Sequence, residues 1–591
     1  MTLAGDKGRI GLAVGLSAIV IGVAGVDVWR AFEPGTVNVP SASTAASAPS
    51  ASVPPKLPSA DYSNIFKYDY VGPEACRGCH AKNYASWELH PHARMNRNAH
   101  ANTVDGDFSG VGLDYGQARV VFERRTGDYV MSVMRDGKLV RRFKVTRVVG
   151  SRFVQMYIGV QTVGPEPHDD VVYRMEKKLP FAYWLRRKQW FPQTYDEAQT
   201  KEEFDGAGAL QAHFRYDERP GGGTWRRTCI LCHNTFPYAM RLEAVGQDRV
   251  AGFPLEDVKL DPPREHPAFD EERRPVVEDW DLVTLGISCE SCHFGGREHV
   301  AEGGAISFWP RGPGLTMAKE APEAPRESAY VVNGICSQCH AAVSNGPLYP
   351  HGGATWNSRE GLDVRAGNCA SEIRCTDCHD PHQAGPVPNA PVDNPAHVAA
   401  CVSCHEELAA PEAAKKHHRH GDESAPNCLD CHMPRIVHGL DDVIRSHRIS
   451  SPSEPRMLKE AMPNACNLCH LDQSLGWTVA QLKSGWGVEV EVEGLPEATA
   501  GQVWLKHEMP VVHAVAAHAY ARTPVGDGAL GLAALTQIAA LLKDDTPANR
   551  MFGVLAVERI LGRSVDTETY TPWAPPKERA RQVDALLAPP E

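Results

Sequence analysis

The chain has 591 residues, too many for one core, which suggests about two to four domains. Apolar residues make up 42% and charged residues 23%, ordinary shares that exclude wholesale disorder and a polytopic membrane protein. With 61 basic against 73 acidic side chains the formal net charge is −12, which offers no field to a phosphate backbone and excludes nucleic acid as a first partner. The 17 cysteines and 26 histidines are more soft and imidazole donors than a core of this size needs, and they point to iron or zinc.

In chain order, Lys7 and Arg9 precede an apolar run at 10–26, followed by Asp27, Trp29 and Arg30. That pattern is a Sec-type signal or a single membrane anchor. No A-x-A cleavage site follows at once, which favours an uncleaved inner-membrane anchor over a cleaved signal for residues 1–30 and leaves both readings open. Residues 31–60 are rich in Pro, Ser and Ala and form a solvated linker.

Sixteen of the cysteines then lie in eight copies of C-x-x-C-H, where chance at this composition gives roughly 0.02 copies. The first four motifs are Cys76/Cys79/His80, Cys229/Cys232/His233, Cys289/Cys292/His293 and Cys336/Cys339/His340. The fifth to eighth are Cys375/Cys378/His379, Cys401/Cys404/His405, Cys428/Cys431/His432 and Cys466/Cys469/His470. Two thiols at this spacing share one side of a turn, where they add to the vinyl groups of one haem, and the next histidine sits under the iron. Structural zinc and a disulfide framework are the rivals, but zinc has no need of a histidine directly after every second cysteine. Eight covalent haems c are expected. Their attachment outside the cytoplasmic membrane agrees with the export signal and places the chain in the periplasm.

The first haem segment is taken as 61–118 and a β-containing insertion as 119–228. Residues 119–150 alternate apolar with polar and are punctuated by Thr126-Gly127 and Asp136-Gly137, which predicts two linked hairpins. Seven motifs crowd into a core at 229–475, where Gly and Pro are frequent and haem faces must supply much of the apolar packing. From 476 to 591 short amphipathic helices follow in series, one capped by Thr546-Pro547 and ended by Gly562. They form a repeat-like module, a brace for the haem domain before it is a partner surface. The fold class expected is mainly α with much irregular structure around stacked haems, plus an antiparallel β insertion.

Eighteen histidines lie outside the motifs, enough to close all eight irons. Placement near a motif picks His299, His382, His397, His418 (within His417/His418/His420), His438 and His447, together with His90, His92 and His351. His168, His213, His266, His507, His513 and His518 stand in motif-free context. The odd cysteine, Cys369, is a small buried side chain by default and a haem-side thiol otherwise.

The strings ACRGCHAKNYASWELHPHARM, CESCHFGGREHV, CSQCHAAV, CTDCHDPH, CVSCHEEL, CLDCHMPR with SHRIS, and PNACNLCHLD cover residues 71 to about 475. They resemble the multihaem cytochrome c superfamily of pentahaem nitrite reductases, hydroxylamine oxidoreductases, octahaem nitrite and tetrathionate reductases, and their electron-carrying relatives. The resemblance implies haems stacked in parallel and perpendicular pairs as a wire, with His299, His382 and His447 as distal ligands. Two departures count against catalysis. No motif ends in the lysine that marks the catalytic haem of nitrite reducers, and only Tyr520 and Tyr570 follow the last motif, in short helices.

The favoured function is therefore an octahaem electron carrier between a membrane quinol-linked donor and a terminal acceptor. The alternatives are an oxidoreductase acting on nitrite, hydroxylamine or tetrathionate at one open haem, and a conduit subunit docked through the helical tail.

Overall fold

The computed structural model describes residues 62–588 apart from 193–202, 217, 219–223, 228, 245–251, 255, 262–278, 321–327, 343–345, 384–394, 422–425 and 523–528, all within one unit spanning 56–591. The anchor at 1–30, the linker at 31–60, His266 and the side chain of His213 fall outside the described residues. Among the described residues no helix is long and apolar enough to cross a membrane.

Nine antiparallel strands form the main sheet: β1 (Asn96–Asn98), β2 (Ser109–Tyr115), β3 (Ala118–Arg125), β4 (Asp128–Arg135), β5 (Lys138–Val149), β6 (Val154–Val163), β7 (Lys177–Lys178), β8 (Phe181–Trp184) and β9 (Gln189–Pro192). The order is β2-β3-β4-β5-β6-β8-β9, with β1 on β5 and β7 on β6, and β2 approaches β9 so that the sheet nearly closes. Thr126 and Gly127 have φ of 49° and 91°, and Asp136 and Gly137 have 51° and 72°. Two successive left-handed residues make the tight turn whose twist matches the flanking strands, so both expected hairpins are present. The sheet also starts before the expected boundary at 119, with β1 and β2. Gly110 and Gly112 dilute the alternation in β2 and hide it from a pattern reading. Alternate residues point inward, and inside the sheet the Phe122 and Trp190 rings stack at 3.8 Å with Phe108 edge-on at 5.0 Å to Trp190.

The tail forms helices Leu475–Trp486, Ala500–Trp504, Pro510–Arg522, Ala529–Ala539, Pro547–Leu561 and Pro576–Leu586. Pro547 opens its helix and Gly562 closes it in the left-handed region at φ 63°, as expected. Its faces are not amphipathic. Every residue from Pro547 to Val557 is buried, because the helix is packed by Pro510–Arg522 and Ala529–Ala539.

Sheet and tail share one apolar core, which holds Phe122, Phe143, Tyr157 and Phe181 together with Trp504, Val515, Phe552 and Tyr570. Polar clamps cross the same boundary. Arg187 donates to the Val565 carbonyl at 2.6 Å and pairs with Glu558. Glu203, fully buried, accepts from the Tyr115 hydroxyl at 2.6 Å and pairs with Arg550, whose guanidinium also donates to the Asp544 and Asp545 carbonyls at 2.8 and 3.0 Å.

A small hairpin, Arg435–His438 with Val443–Arg445, lies on the helix Pro510–Arg522. His438 is buried there, its ring 5.3 Å from that of Trp356 and 4.4 Å from that of Phe552, and burial pulls its pKa down to about 3.

Removing one partner of a buried pair strands the other charge. Arg550→Ala should lower the unfolding free energy in urea by about 3–5 kcal/mol, whereas Arg119→Ala, which breaks the exposed pair with Asp114, should change it by less than about 1 kcal/mol. His438 has a folded pKa below its unfolded value of about 6.5, so below that pH the unfolded chain takes up the proton first. The stability it contributes is complete above about pH 6.5 and is lost as pH falls toward about 3. His438→Gln should flatten part of that slope in urea midpoints measured between pH 7 and pH 4.

Candidate haem-binding centres

Each motif folds as a single helical turn. The backbone N–H of the histidine donates to the carbonyl of the first cysteine at 2.9 Å in the first and fifth motifs, 3.0 Å in the fourth and eighth, and 3.1 Å in the second and sixth. The third and seventh lie in the short helices Cys289–His293 and Cys428–His432. This closure sets both thiols and the imidazole on one side of the turn. Side chains fix the turns in place. Asn427 and Asp430 cap the seventh reciprocally, and Arg445 holds Asp430 at 2.7 Å. Glu290, inside the third motif, accepts from the backbone N–H of Gly72 at 2.7 Å, of Gly296 at 2.8 Å and of Val71 at 3.0 Å, and so ties the third motif to the segment leading into the first.

Among the described residues no three His, Cys, Asp or Glu side chains gather to hold a small ion. The donors therefore do not form the closed tetrahedral sets that structural zinc uses. Each motif sets one pair of thiols beside one histidine, the donor set that a covalently attached haem requires.

The histidines give a sharper test. An iron held between two imidazole nitrogens at about 2.0–2.1 Å each, with ring centres about 1 Å further out, needs centroids roughly 6 Å apart. His80 faces His299 at 6.1 Å, His293 faces His382 at 6.0 Å and His379 faces His447 at 6.4 Å. His432 faces His417 at 6.2 Å, His470 faces His420 at 6.2 Å and His340 faces His92 at 6.5 Å. Six motifs thus hold a ring pair at iron-spanning distance. The planes are turned by 15° to 29° in five of these pairs and by 62° in His92/His340.

The second ring nitrogen sorts the candidates further, since an Nε2 free for metal requires the proton on Nδ1. His432 and His299 each donate from Nδ1 to a carbonyl, of Ser450 and Gly304, both at 2.9 Å. His420 does so to His418 at 2.5 Å, and His340 donates to the Glu360 carboxylate at 3.2 Å. Other candidates have the opposite arrangement. Nδ1 of His90, His351 and His418 accepts backbone N–H bonds from His92, Gly353 and His420, each at 3.1 Å, which leaves the proton on Nε2. His397 lies 6.0 Å from His379, but its Nε2 is engaged with the Cys378 carbonyl at 3.0 Å. Within HHRH, therefore, the flanking His417 and His420 face motifs, and His418 packs beside His420 at 5.9 Å. The reason is local: the helix Pro411–His418 stops at Arg419, whose left-handed φ of 56° swings His420 away from His417. Burial lowers His92 to about 3 and His233 and His379 to about 4, which favours the neutral, iron-binding form at these three rings, whereas at His340 the Glu360 carboxylate outweighs burial and raises the pKa.

Attachment thiols of different motifs also meet. Cys76 is hydrogen-bonded to Cys289, Cys232 to Cys339, Cys336 to Cys375 and Cys401 to Cys428. Cys292 lies within electrostatic reach of Cys336 and Cys339, Cys378 of Cys401, and Cys431 of Cys466 and Cys469. Cys369 lies in the same range of Cys401.

Solvent reaches several motifs: Cys469 in the eighth, His340 in the fourth and His379 in the fifth are exposed residues. Cys79 in the first and Cys404 and His405 in the sixth are exposed, as are their neighbours Arg77, Gly78, Ser403 and Glu406. The first thiol of the first and sixth motifs is turned toward another motif, Cys76 to Cys289 and Cys401 to Cys428, which leaves Cys79 and Cys404 at the outer end of a surface turn. The eighteen further histidines are enough for a second imidazole at every motif, but their placement is uneven. Among the described residues the His405 ring faces no other histidine, and its Nδ1 lies 3.7 Å from the Glu407 carboxylate, within the exposed stretch 403–407. His233 of the second motif likewise faces no second imidazole among the described residues, although its ring is shielded from solvent.

A family model described as "Doubled CXXCH motif" matches residues 367–410, which contain the fifth and sixth motifs. No curated protein matches. Among solved structures, one titled "Crystal Structure of Outer Cell Wall Cytochrome OcwA" aligns at TM-score 0.38 and 14% identity, covering 83% of this chain and 98% of that one. The match marks residues 367–410 as a doubled attachment motif of the kind that holds haem c, and the same helical turn recurs at the other six motifs.

Proposed function

We propose that the protein is an octahaem electron-transfer wire that works outside the cytoplasmic membrane, a mainly α core around stacked haems carried on the sheet and helical tail. The observation that supports this reading is the succession in which attachment thiols of different motifs approach one another, hydrogen-bonded at four junctions and within electrostatic reach at three. Through them the first motif meets the third, the third the fourth, the fourth the fifth, and so on to the eighth, with the second joining at the fourth. Bound haem supplies a one-electron ferric/ferrous couple at each motif. The residues do the rest. The cysteines would attach a haem at each motif, and at six centres the facing histidines would offer two imidazoles to the iron, a donor set that changes little with oxidation state.

His299, His92, His382, His447, His417 and His420 are the distal ligands of the first, fourth, third, fifth, seventh and eighth centres in this reading. Redox partners on either side of the membrane space, a quinol-linked donor and a terminal acceptor, complete the role.

Intact-mass measurement should give eight haems per chain. Electron paramagnetic resonance of the oxidised protein should show low-spin signals from the six paired centres and no response to nitrite, hydroxylamine or tetrathionate. The nearly parallel ring pairs should give ordinary rhombic signals. The His92/His340 pair, twisted by 62°, should give a strongly anisotropic signal with a large maximal g value, because crossed imidazole planes leave two iron d orbitals nearly degenerate. A high-spin component that shifts with an added compound would overturn the wire in favour of an open, substrate-binding haem.

A further inference from the structure

The motif histidines differ in what receives their Nδ1 proton. In the seventh motif His432 gives it to a neutral carbonyl, that of Ser450 at 2.9 Å, whereas in the fourth His340 gives it to the Glu360 carboxylate at 3.2 Å. Glu360 is held for this contact from several directions. The Ser358 backbone N–H donates to its other oxygen at 2.9 Å. The next residue, Gly361, donates its own N–H to the His340 carbonyl at 2.7 Å. A Cβ at Gly361 would come within 3.1 Å of that carbonyl oxygen and would collide with the Ser337 side chain, so the approach of this turn to the motif depends on glycine. His447, which faces His379 of the fifth motif, is within electrostatic reach of the same carboxylate.

We propose that Glu360 is a positioning residue that sets the reduction potential of the fourth centre and holds it below that of the carbonyl-supported seventh. The inference rests on reading His340 as an iron ligand. With Nε2 on iron, the proton must stay on Nδ1 and point at its partner. A full negative charge draws that proton further than a carbonyl dipole does, so the ring gives more electron density to the metal. Reduction adds one electron and neither makes nor breaks a bond, so this donation is felt as a preference for the ferric state. The fourth motif is also where thiols of the second, third and fifth motifs converge. A centre there that resists holding an electron passes it to whichever neighbour is oxidised, and the junction conducts without storing charge.

The test is a potentiometric titration of the loaded full-length protein, followed by visible absorption and by the large-g signal of the twisted pair. Glu360→Gln keeps the size and an acceptor oxygen and removes the charge. The fourth centre should become easier to reduce by at least tenfold in its ferrous-to-ferric ratio at fixed potential, about 59 mV for a one-electron couple, with the seventh unmoved. Glu360→Asp keeps the charge at longer reach, and its curve should fall between those of the wild type and the Gln variant. If the Gln variant carries eight haems and its titration superimposes on the wild type, or if Asp shifts the centre as far as Gln does, the proposal is overturned. If Gln lowers haem loading, the Asp variant decides alone, an upward shift upholding the proposal and an unchanged curve overturning it. Peptide mapping of the wild type that finds no haem at Cys336 and Cys339 would instead sink the haem reading itself.

Discussion

Two imidazole rings must stand about 6 Å apart, edge toward edge, before one iron can join them. That distance is a constraint on the whole chain. A CxxCH turn can build one side of it locally, because the histidine N–H closes on a carbonyl four residues back. The other side has to arrive from elsewhere. His92 reaches His340 from 248 positions away in sequence, and His447 reaches His379 from 68 positions away. Much of the irregular chain between motifs exists to deliver these rings.

The distribution of apolar side chains follows from the same constraint. The largest core belongs to the sheet and the helical tail, not to the motif region. Between Trp356 and Ile436, a stretch holding the fifth, sixth and seventh motifs, Leu429 is the one fully buried apolar side chain among the described residues. A segment of that length cannot offset its ordering entropy by burying its own side chains. In the proposed reading, macrocycle faces would stand where leucine and valine stand in other proteins. The sheet and tail are the opposite case, with clamps such as Arg550 to Glu203 and an aromatic interior that need no cofactor.

What could be read from the sequence was local. The motif spacing, the turns at Thr126-Gly127 and Asp136-Gly137, and the helix between Pro547 and Gly562 are all set by residues within a few positions of one another. Four of the distal candidates, His92, His299, His382 and His447, also face motif rings. The reading failed where the deciding contact is distant or is a matter of which nitrogen bears the proton. His418 could not be told from His417 and His420 without the left-handed turn at Arg419. The motif string is the same at His405 as at His432, yet one ring lies on an exposed turn and the other against His417, a difference that only the surrounding chain decides. Glu360 has no sequence signature, since its partner lies 20 residues away across a glycine contact. The merging of the tail with the sheet was hidden for the same reason: Arg550 and Glu203 are 347 positions apart.

The tail then acquires a purpose in terms of ligands. The helix Pro510–Arg522 supports the hairpin Arg435–His438/Val443–Arg445, and Arg445 anchors that hairpin back to the seventh motif through Asp430 and the Met433 carbonyl. The chain leaving the hairpin carries His447 to the ring of His379, and the Ile449 carbonyl accepts from the Asn368 N–H at 2.8 Å, beside the fifth motif. One residue further, the Ser450 carbonyl takes the Nδ1 proton of His432. In the proposed reading this short stretch serves two centres, as ligand to one and as proton acceptor for the other's ligand. A shift of the hairpin by about 1 Å would disturb both together, which is the physical reason to seat it on a helix packed into the largest core of the molecule.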